Sequence, residues 1–297
     1  MKNLKVNKRY ITSVVYVVVL LGLLALKWLV ADYGALGFDA LFCAISIIGC
    51  LEFFNAVKVV PFAQRAVTVA FCSAVIPFFV LCEMMGMSGY LPALIIFVIY
   101  ALIVLILGIA SVDGSDINTT LLSLGAAAYC GLLSCVFAAI NHLSENSAPL
   151  VLLMFMIVML TDSFAYLFGR IFKRWLPYRL APKISPNKTI VGGVGGILGG
   201  MVAGVAAYYI WYGLSKVAGE ILVYTGSLPG WVAFMLIGLV GAIVGQCGDL
   251  FESFIKRKCD IKDSGKILPG HGGVLDRFDS MFFVGVLVLV SSLLLVL

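Results

Sequence analysis

Charge is scarce in this chain. Of its 297 residues only 12% are Asp, Glu, Lys or Arg, while 62% are apolar and mean hydropathy is +1.12. That balance excludes an ordinary soluble globule. Histidine is nearly absent, with two in the whole chain, and the eight cysteines contain no C-x-x-C pair and have no histidine nearby. They read as small apolar packing residues rather than metal ligands or a disulfide framework. No Walker pattern G-x-x-x-x-G-K-[ST] occurs, and no soluble domain, low-complexity tail or clear repeat is visible. The basic residues are not interleaved with aromatics that would form a stacking platform, so nucleic acid is not an expected partner.

What the chain has in quantity is long apolar runs. A hydrocarbon core of about 30 Å needs roughly 20 apolar residues as a helix. Nine such runs are read at about 11–31, 36–57, 66–86, 90–112, 118–140, 149–169, 190–212, 229–250 and 279–297. Barrel strands would be about half as long and alternate in polarity, so the expected fold class is an all-α integral membrane protein, a polytopic bundle of about nine helices. The basic N-terminus MKNLKVNKRY precedes a run too long for a cleaved leader and without a small-residue cleavage site, and is read as flanking a retained first span. With the N-terminus cytoplasmic, all of the 20 Lys and Arg except Lys27 and Lys216 fall on the cytoplasmic side, as positive-inside topology requires.

The chain changes character after Pro149. Residues 1–148 form the expected N-terminal scaffold half, and 149–297 a C-terminal catalytic half with two cytoplasmic loops, 170–189 and 251–278. Within the seventh run, Gly192, Gly196, Gly200 and Gly204 make a small-residue stripe. Packing inside the bundle is the default reading of such a stripe, a homodimer surface the alternative. Gly241, Gly245 and Gly248 give the eighth run a similar face.

Polar residues concentrate at 253–279, where Lys256, Arg257, Lys258, Lys262, Lys266 and Arg277 alternate with Asp260, Asp263, Asp276, Asp279 and several glycines. Cations for phosphate oxygens, carboxylates for a hard divalent ion and bare backbone for close approach are what a metal-bound polyphosphate needs. A solvated basic loop between spans is the competing reading. A second constellation, Lys183 to Thr189, leads into the glycine-rich run. A helix N-terminus there offers free N–H groups and the positive end of a dipole to an anion, although Ser185 or Thr189 equally suits a simple helix cap. Asp162 and Asp249 lie at membrane depth near the ends of their runs, where an ionised carboxylate needs a partner, water or a cation. Arg170 is a candidate partner for Asp162, and Glu52 and Glu83 are read mainly as structural.

Taken with their spacings, Ser253, Lys256-Arg257, Lys262-Asp263, Gly265, Leu268-Pro269, His271-Gly272-Gly273 and Asp276-Arg277-Phe278-Asp279 resemble the C-terminal loop of the phosphatidate cytidylyltransferases, or CDP-diacylglycerol synthases. Upstream, Asp162, Ala165-Tyr166, Gly169-Arg170 and Ser185-Pro186-x-Lys188-Thr189 look like elements of the same family, so the resemblance covers at least 162–279. Val191 departs from it, since a polar residue, often Glu, is expected there, and 171–182 follow the pattern poorly.

The resemblance implies transfer of the cytidylyl group of CTP to phosphatidate in the membrane, giving CDP-diacylglycerol and pyrophosphate. It implies Mg2+, with a second cation as an option, at Asp249 and Asp276. Lys188, Lys262 and Arg277 are implied for phosphate contacts, and Ser185 for an anionic oxygen. Thr189, Ser253, Lys256, Arg257 and Asp162 are placed at the substrate. His271 either orients a phosphate or braces the glycine turn. The implied location is the bacterial cytoplasmic membrane, with the active site at its cytoplasmic face. Other phosphorylated long-chain alcohols, a CTP-dependent lipid kinase and a transporter are the rival readings. Cytidine recognition has no readable motif.

Overall fold

The computed structural model describes residues 2–30, 33–110, 117–143, 147–172, 174–218, 228–265, 267 and 272–295. Its elements are α1 (Lys2–Leu29), α2 (Leu36–Val57), α3 (Phe62–Met84), α4 (Tyr90–Ala110), α5 (Ile117–Ala126), a π-helical turn (Ala127–Leu132), α6 (Leu133–Asn141) and α7 (Ser147–Phe172). Then come β1 (Arg179–Ala181), β2 (Ser185–Thr189), α8 (Ile190–Ala218), α9 (Gly230–Lys258) and α10 (Leu275–Leu295).

Among the described residues seven helices are long and apolar enough to cross a membrane: α2, α3, α4, the continuous Ile117–Asn141, α7, α8 and α9. They coincide with the second to eighth expected spans, and the chain is an integral membrane protein. The first and last expected spans correspond to α1 and α10, which are not among the seven. Among the described residues, the apolar stretch of α1 is Val17–Leu29. α10 opens on Asp276, Arg277 and Asp279.

The chain forms two compact units, one of residues 1–142 with 259–278 and one of 143–258 with 279–297. In the first unit the core is aromatic, with Phe42 stacked on Phe38 and tilted against Phe137. Cys50, Cys72 and Cys130 are buried there as free thiols, in keeping with a packing role. This unit also accounts for Lys27, one of the two exceptions to the positive-inside pattern. Its ammonium donates to the Asn141 carbonyl and side-chain oxygens at 2.7 and 2.8 Å. Asn141 in turn donates to Asp39 Oδ1, and His142 Nε2 lies 2.8 Å from Asp39 Oδ2. A charge held in such a network does not need the headgroup region, so it does not vote on topology. The other exception, Lys216 in the second unit, sits 4.5 Å from the Tyr212 ring centroid.

The second unit is built on α7, α8 and α9, and its glycines explain the close fit. A methyl group at Gly192 would stand 2.9 Å from the Ala165 carbonyl oxygen on α7, and one at Gly196 would stand 3.0 Å from Gln246 Nε2 on α9. Further along, Gly200 faces the Gly238 carbonyl and Gly204 the Phe234 carbonyl, again on α9, with no room for a Cβ. The stripe thus serves packing within the bundle, the default of the two sequence readings. Gly204→Val should lower stability by about 1–3 kcal/mol, because backbone cannot yield to the new side chain. Gly213→Ala, on the same helix but with open space around it, should be neutral or raise stability by up to about 1 kcal/mol. Thermal unfolding midpoints of the two purified variants, lowered for the first and unchanged or raised for the second, are the check.

Candidate active site

In the second unit the loop between α7 and α8 is a small antiparallel hairpin. Arg179 pairs with Thr189 and Ala181 with Ser185, and Ile190 N–H closes the ladder on the Tyr178 carbonyl at 3.0 Å. This hairpin delivers the chain to the start of α8. Thr189, almost fully buried, accepts the Gly192 N–H on its hydroxyl oxygen at 3.1 Å. That is an N-cap bond, three residues into the helix, so the capping reading is correct for Thr189. Gly169 of α7 packs against the same hydroxyl, which would be 3.2 Å from an added methyl.

On α9 the polar residues recur at helical spacing. Gln246, Asp249, Ser253 and Arg257 follow at intervals of three and four, hence on one face. Asp249 Oδ2 is 2.5 Å from the Lys188 ammonium, and Ser253 Oγ donates to Asp249 Oδ1 at 3.4 Å. Arg257 Nε donates to the Ile184 carbonyl at 3.2 Å, tying the end of α9 to the hairpin. Lys256 pairs with the buried Glu252 one turn earlier. The three cations in the last turn of α9, Lys256, Arg257 and Lys258, also suit the negative end of its dipole.

These elements surround a cavity of about 640 Å3. Lys188, Arg170 and the first turn of α8, through Gly192 and Gly193, supply its positive side, and Asp162 and Asp249 its carboxylates. Asn187, Tyr166 and Gln246 complete the polar lining. Arg170 donates to the Tyr166 hydroxyl at 3.4 Å. Of the residues expected from sequence, Asp162, Lys188, Thr189 and Asp249 are therefore brought to one cavity, with Ser253 bonded to Asp249. Ser185 is in β2, opposite Ala181, and is not part of the lining.

Three further expectations fall in the first unit: Lys262, Asp276 and Arg277. Asp276 Oδ2 accepts the N–H groups of Ser264 at 3.0 Å and Gly273 at 2.8 Å, which brings Ser264 and Gly273 to one carboxylate oxygen. Gly272, at φ +88°, takes a backbone conformation that suits glycine and leaves no room beside that carboxylate. His271 lies outside the described residues.

Gln246 was missed by sequence reasoning. Its amide donates to the Gly193 carbonyl at 3.2 Å and lines the cavity one turn before Asp249. The three-residue spacing from Asp249 was the signal that could have found it.

The donor set suits a hard cation only in part. Among the described residues no three His, Cys, Asp or Glu side chains come close enough to hold a metal alone. Negative charge is nonetheless concentrated, since Asp249, Glu252 and Asp162 all act electrostatically on Asp279. Mg2+ commonly takes only one or two protein carboxylates and draws its other ligands from water and substrate phosphates, and this site fits that pattern. Removing the cap hydroxyl with Thr189→Ala should cost about 1 kcal/mol, while Thr189→Ser should keep most of it. Comparative thermal unfolding of the two variants reads the difference.

The family model described as the cytidylyltransferase family matches residues 7–295. Among curated proteins, the phosphatidate cytidylyltransferase of Staphylococcus haemolyticus (strain JCSC1435) is 37% identical over 163 residues, covering 53% of this chain and 56% of that protein. The phosphatidate cytidylyltransferase of Staphylococcus aureus (strain COL) is 38% identical over 163 residues, covering 53% and 56%. That of Bacillus subtilis (strain 168) is 39% identical over 161 residues, covering 54% and 53%. The chain thus spans a little over half the length of the curated relatives it matches.

Proposed function

Because this chain belongs to the cytidylyltransferase family, we propose that it transfers the cytidylyl group of CTP to phosphatidate, forming CDP-diacylglycerol and pyrophosphate. A phosphate oxygen of phosphatidate attacks the α-phosphorus of CTP. The bond from that phosphorus to the bridging oxygen breaks, and the β,γ-phosphates leave as pyrophosphate. The nucleophile is already anionic, so the protein must supply alignment and charge neutralisation more than a base.

The observation that carries this reading is Lys188 facing Asp249 at 2.5 Å in a cavity closed by the capped N-terminus of α8. Cation, carboxylate and helix dipole are there together, the combination a metal-bound triphosphate asks for. Bound Mg2+ would supply charge neutralisation on the phosphates. Asp249 would be the carboxylate that holds it in the second unit. Lys188 then exchanges Asp249 for a phosphate oxygen, and Arg170 lies in the same cavity for a second contact. Ser253 keeps Asp249 oriented. For the first unit the proposal keeps what the sequence resemblance implies: Asp276 for the metal, and Lys262 and Arg277 for phosphate oxygens.

Incubating purified protein with CTP, Mg2+ and phosphatidate, then identifying products, tests the activity. Lipid-linked CMP with pyrophosphate supports the proposal. CDP with a newly phosphorylated lipid would indicate a kinase instead, and no CTP turnover would revive the transporter reading. For the residues, Asp249→Asn and Asp276→Asn should each abolish turnover in a folded protein. Lys188→Gln should weaken CTP binding or transfer by about 1.5–3 kcal/mol, roughly 10- to 150-fold, as a charge-assisted hydrogen bond is lost. Lys58→Gln, whose backbone carbonyl but not its ammonium is used by Arg65 in the turn after α2, is the control. Equal small effects of the two lysine variants would remove Lys188 from the phosphate site.

The proposal places the N-terminus and both polar loops on the cytoplasmic side of the bacterial membrane, because basic residues collect there. Single cysteines at 183 and 262, in a cysteine-free background, should be labelled by an impermeant maleimide only after the cytoplasmic face is opened. Labelling from outside would overturn that placement.

A further inference from the structure

Glu52, in α2 of the first unit, is 3% exposed. Two of its hydrogen bonds come from the backbone of a segment more than two hundred residues away. Val274 N–H donates to one carboxylate oxygen at 3.1 Å and Leu275 N–H to the other at 2.9 Å. These donors belong to the start of α10, where a helix has no internal acceptors for them. Glu52 therefore caps α10 from outside, and its charge suits the positive end of that dipole. Two glycines of the polar loop press on the same carboxylate. A methyl at Gly265 would overlap Oε1, and one at Gly273 would come 2.5 Å from Oε2. Next in the chain are Asp276 and Arg277, and Asp276 completes the fold by accepting Ser264 and Gly273 N–H groups.

We infer that Glu52 is a positioning residue for the start of α10: its carboxylate, held by the Val274 and Leu275 amides and packed against Gly265 and Gly273, fixes where Asp276 and Arg277 stand. Both carboxylate oxygens are needed. Glutamine keeps the shape but has one acceptor oxygen, and its NH2 would meet an N–H that needs an acceptor. The inference draws on the cytidylyl-transfer reading for its kinetic readout alone.

The test uses full-length purified protein, wild type, Glu52→Gln and Gly273→Ala, with CTP, Mg2+ and phosphatidate. Three quantities are measured: kcat and KM for CTP, hydrogen exchange of peptides covering 272–280, and the thermal unfolding midpoint. Misplaced reacting groups should lower kcat of Glu52→Gln by about 10- to 100-fold, with KM for CTP changed by less than roughly threefold. Exchange at the start of α10 should be about tenfold faster, as the cap bonds are lost. Gly273→Ala, which perturbs the same contact from the loop side, should change kcat and exchange in the same direction. If Glu52→Gln does not fold, Gly273→Ala decides by these two readouts. A folded variant with kcat within roughly twofold of wild type, or with kcat lost but exchange unchanged, overturns the inference. If wild type itself transfers no cytidylyl group, the functional reading fails, and the exchange data still decide on Glu52.

Discussion

A polar group left unpartnered in hydrocarbon costs several kcal/mol, and this constraint governs where the chain puts its few polar residues. Helices meet it for the backbone. Their ends and the charged side chains do not satisfy themselves, and each must be given a partner. Thr189 and Glu52 serve the ends of α8 and α10. Asn141, Asp39 and His142 serve Lys27, and Lys188 with Ser253 serves Asp249. The candidate site is one of these partnerships, with a cavity beside it.

Helix positions were legible in the sequence because run length and apolarity are local properties. The segments 36–57 and 90–110 coincide with their expected spans almost to the residue. The π-helical turn at Ala127–Leu132 was not legible, since nothing in its composition differs from the α-helix on either side. In the site, Asp249 was readable as a carboxylate at membrane depth and Lys188 as a cation at a helix start. Their 2.5 Å pairing depends on how α8 packs against α9, which no single segment encodes. The hairpin 179–189 was hidden by its shortness. Glu52 was read as structural because its partners are backbone groups, and amides of distant residues leave no mark in a side-chain pattern.

Small residues let this arrangement exist. Along α8 the glycines bring α7 and α9 close enough for backbone to meet backbone, so the first turn of α8 and the polar face of α9 both reach one cavity. With side chains at those positions the helices would be held further apart, and Gln246 would lose its bond to Gly193.

The link from Glu52 to Val274 crosses 222 residues of sequence, and a ribosome makes the chain from one end. At ordinary elongation rates, Glu52 is synthesised about ten to forty seconds before the amides it will hold. Through that interval α2 carries a carboxylate destined for burial with no permanent partner, and water or the insertion machinery must keep it company. Only when the start of α10 has been made can Glu52 take up the amides that hold it.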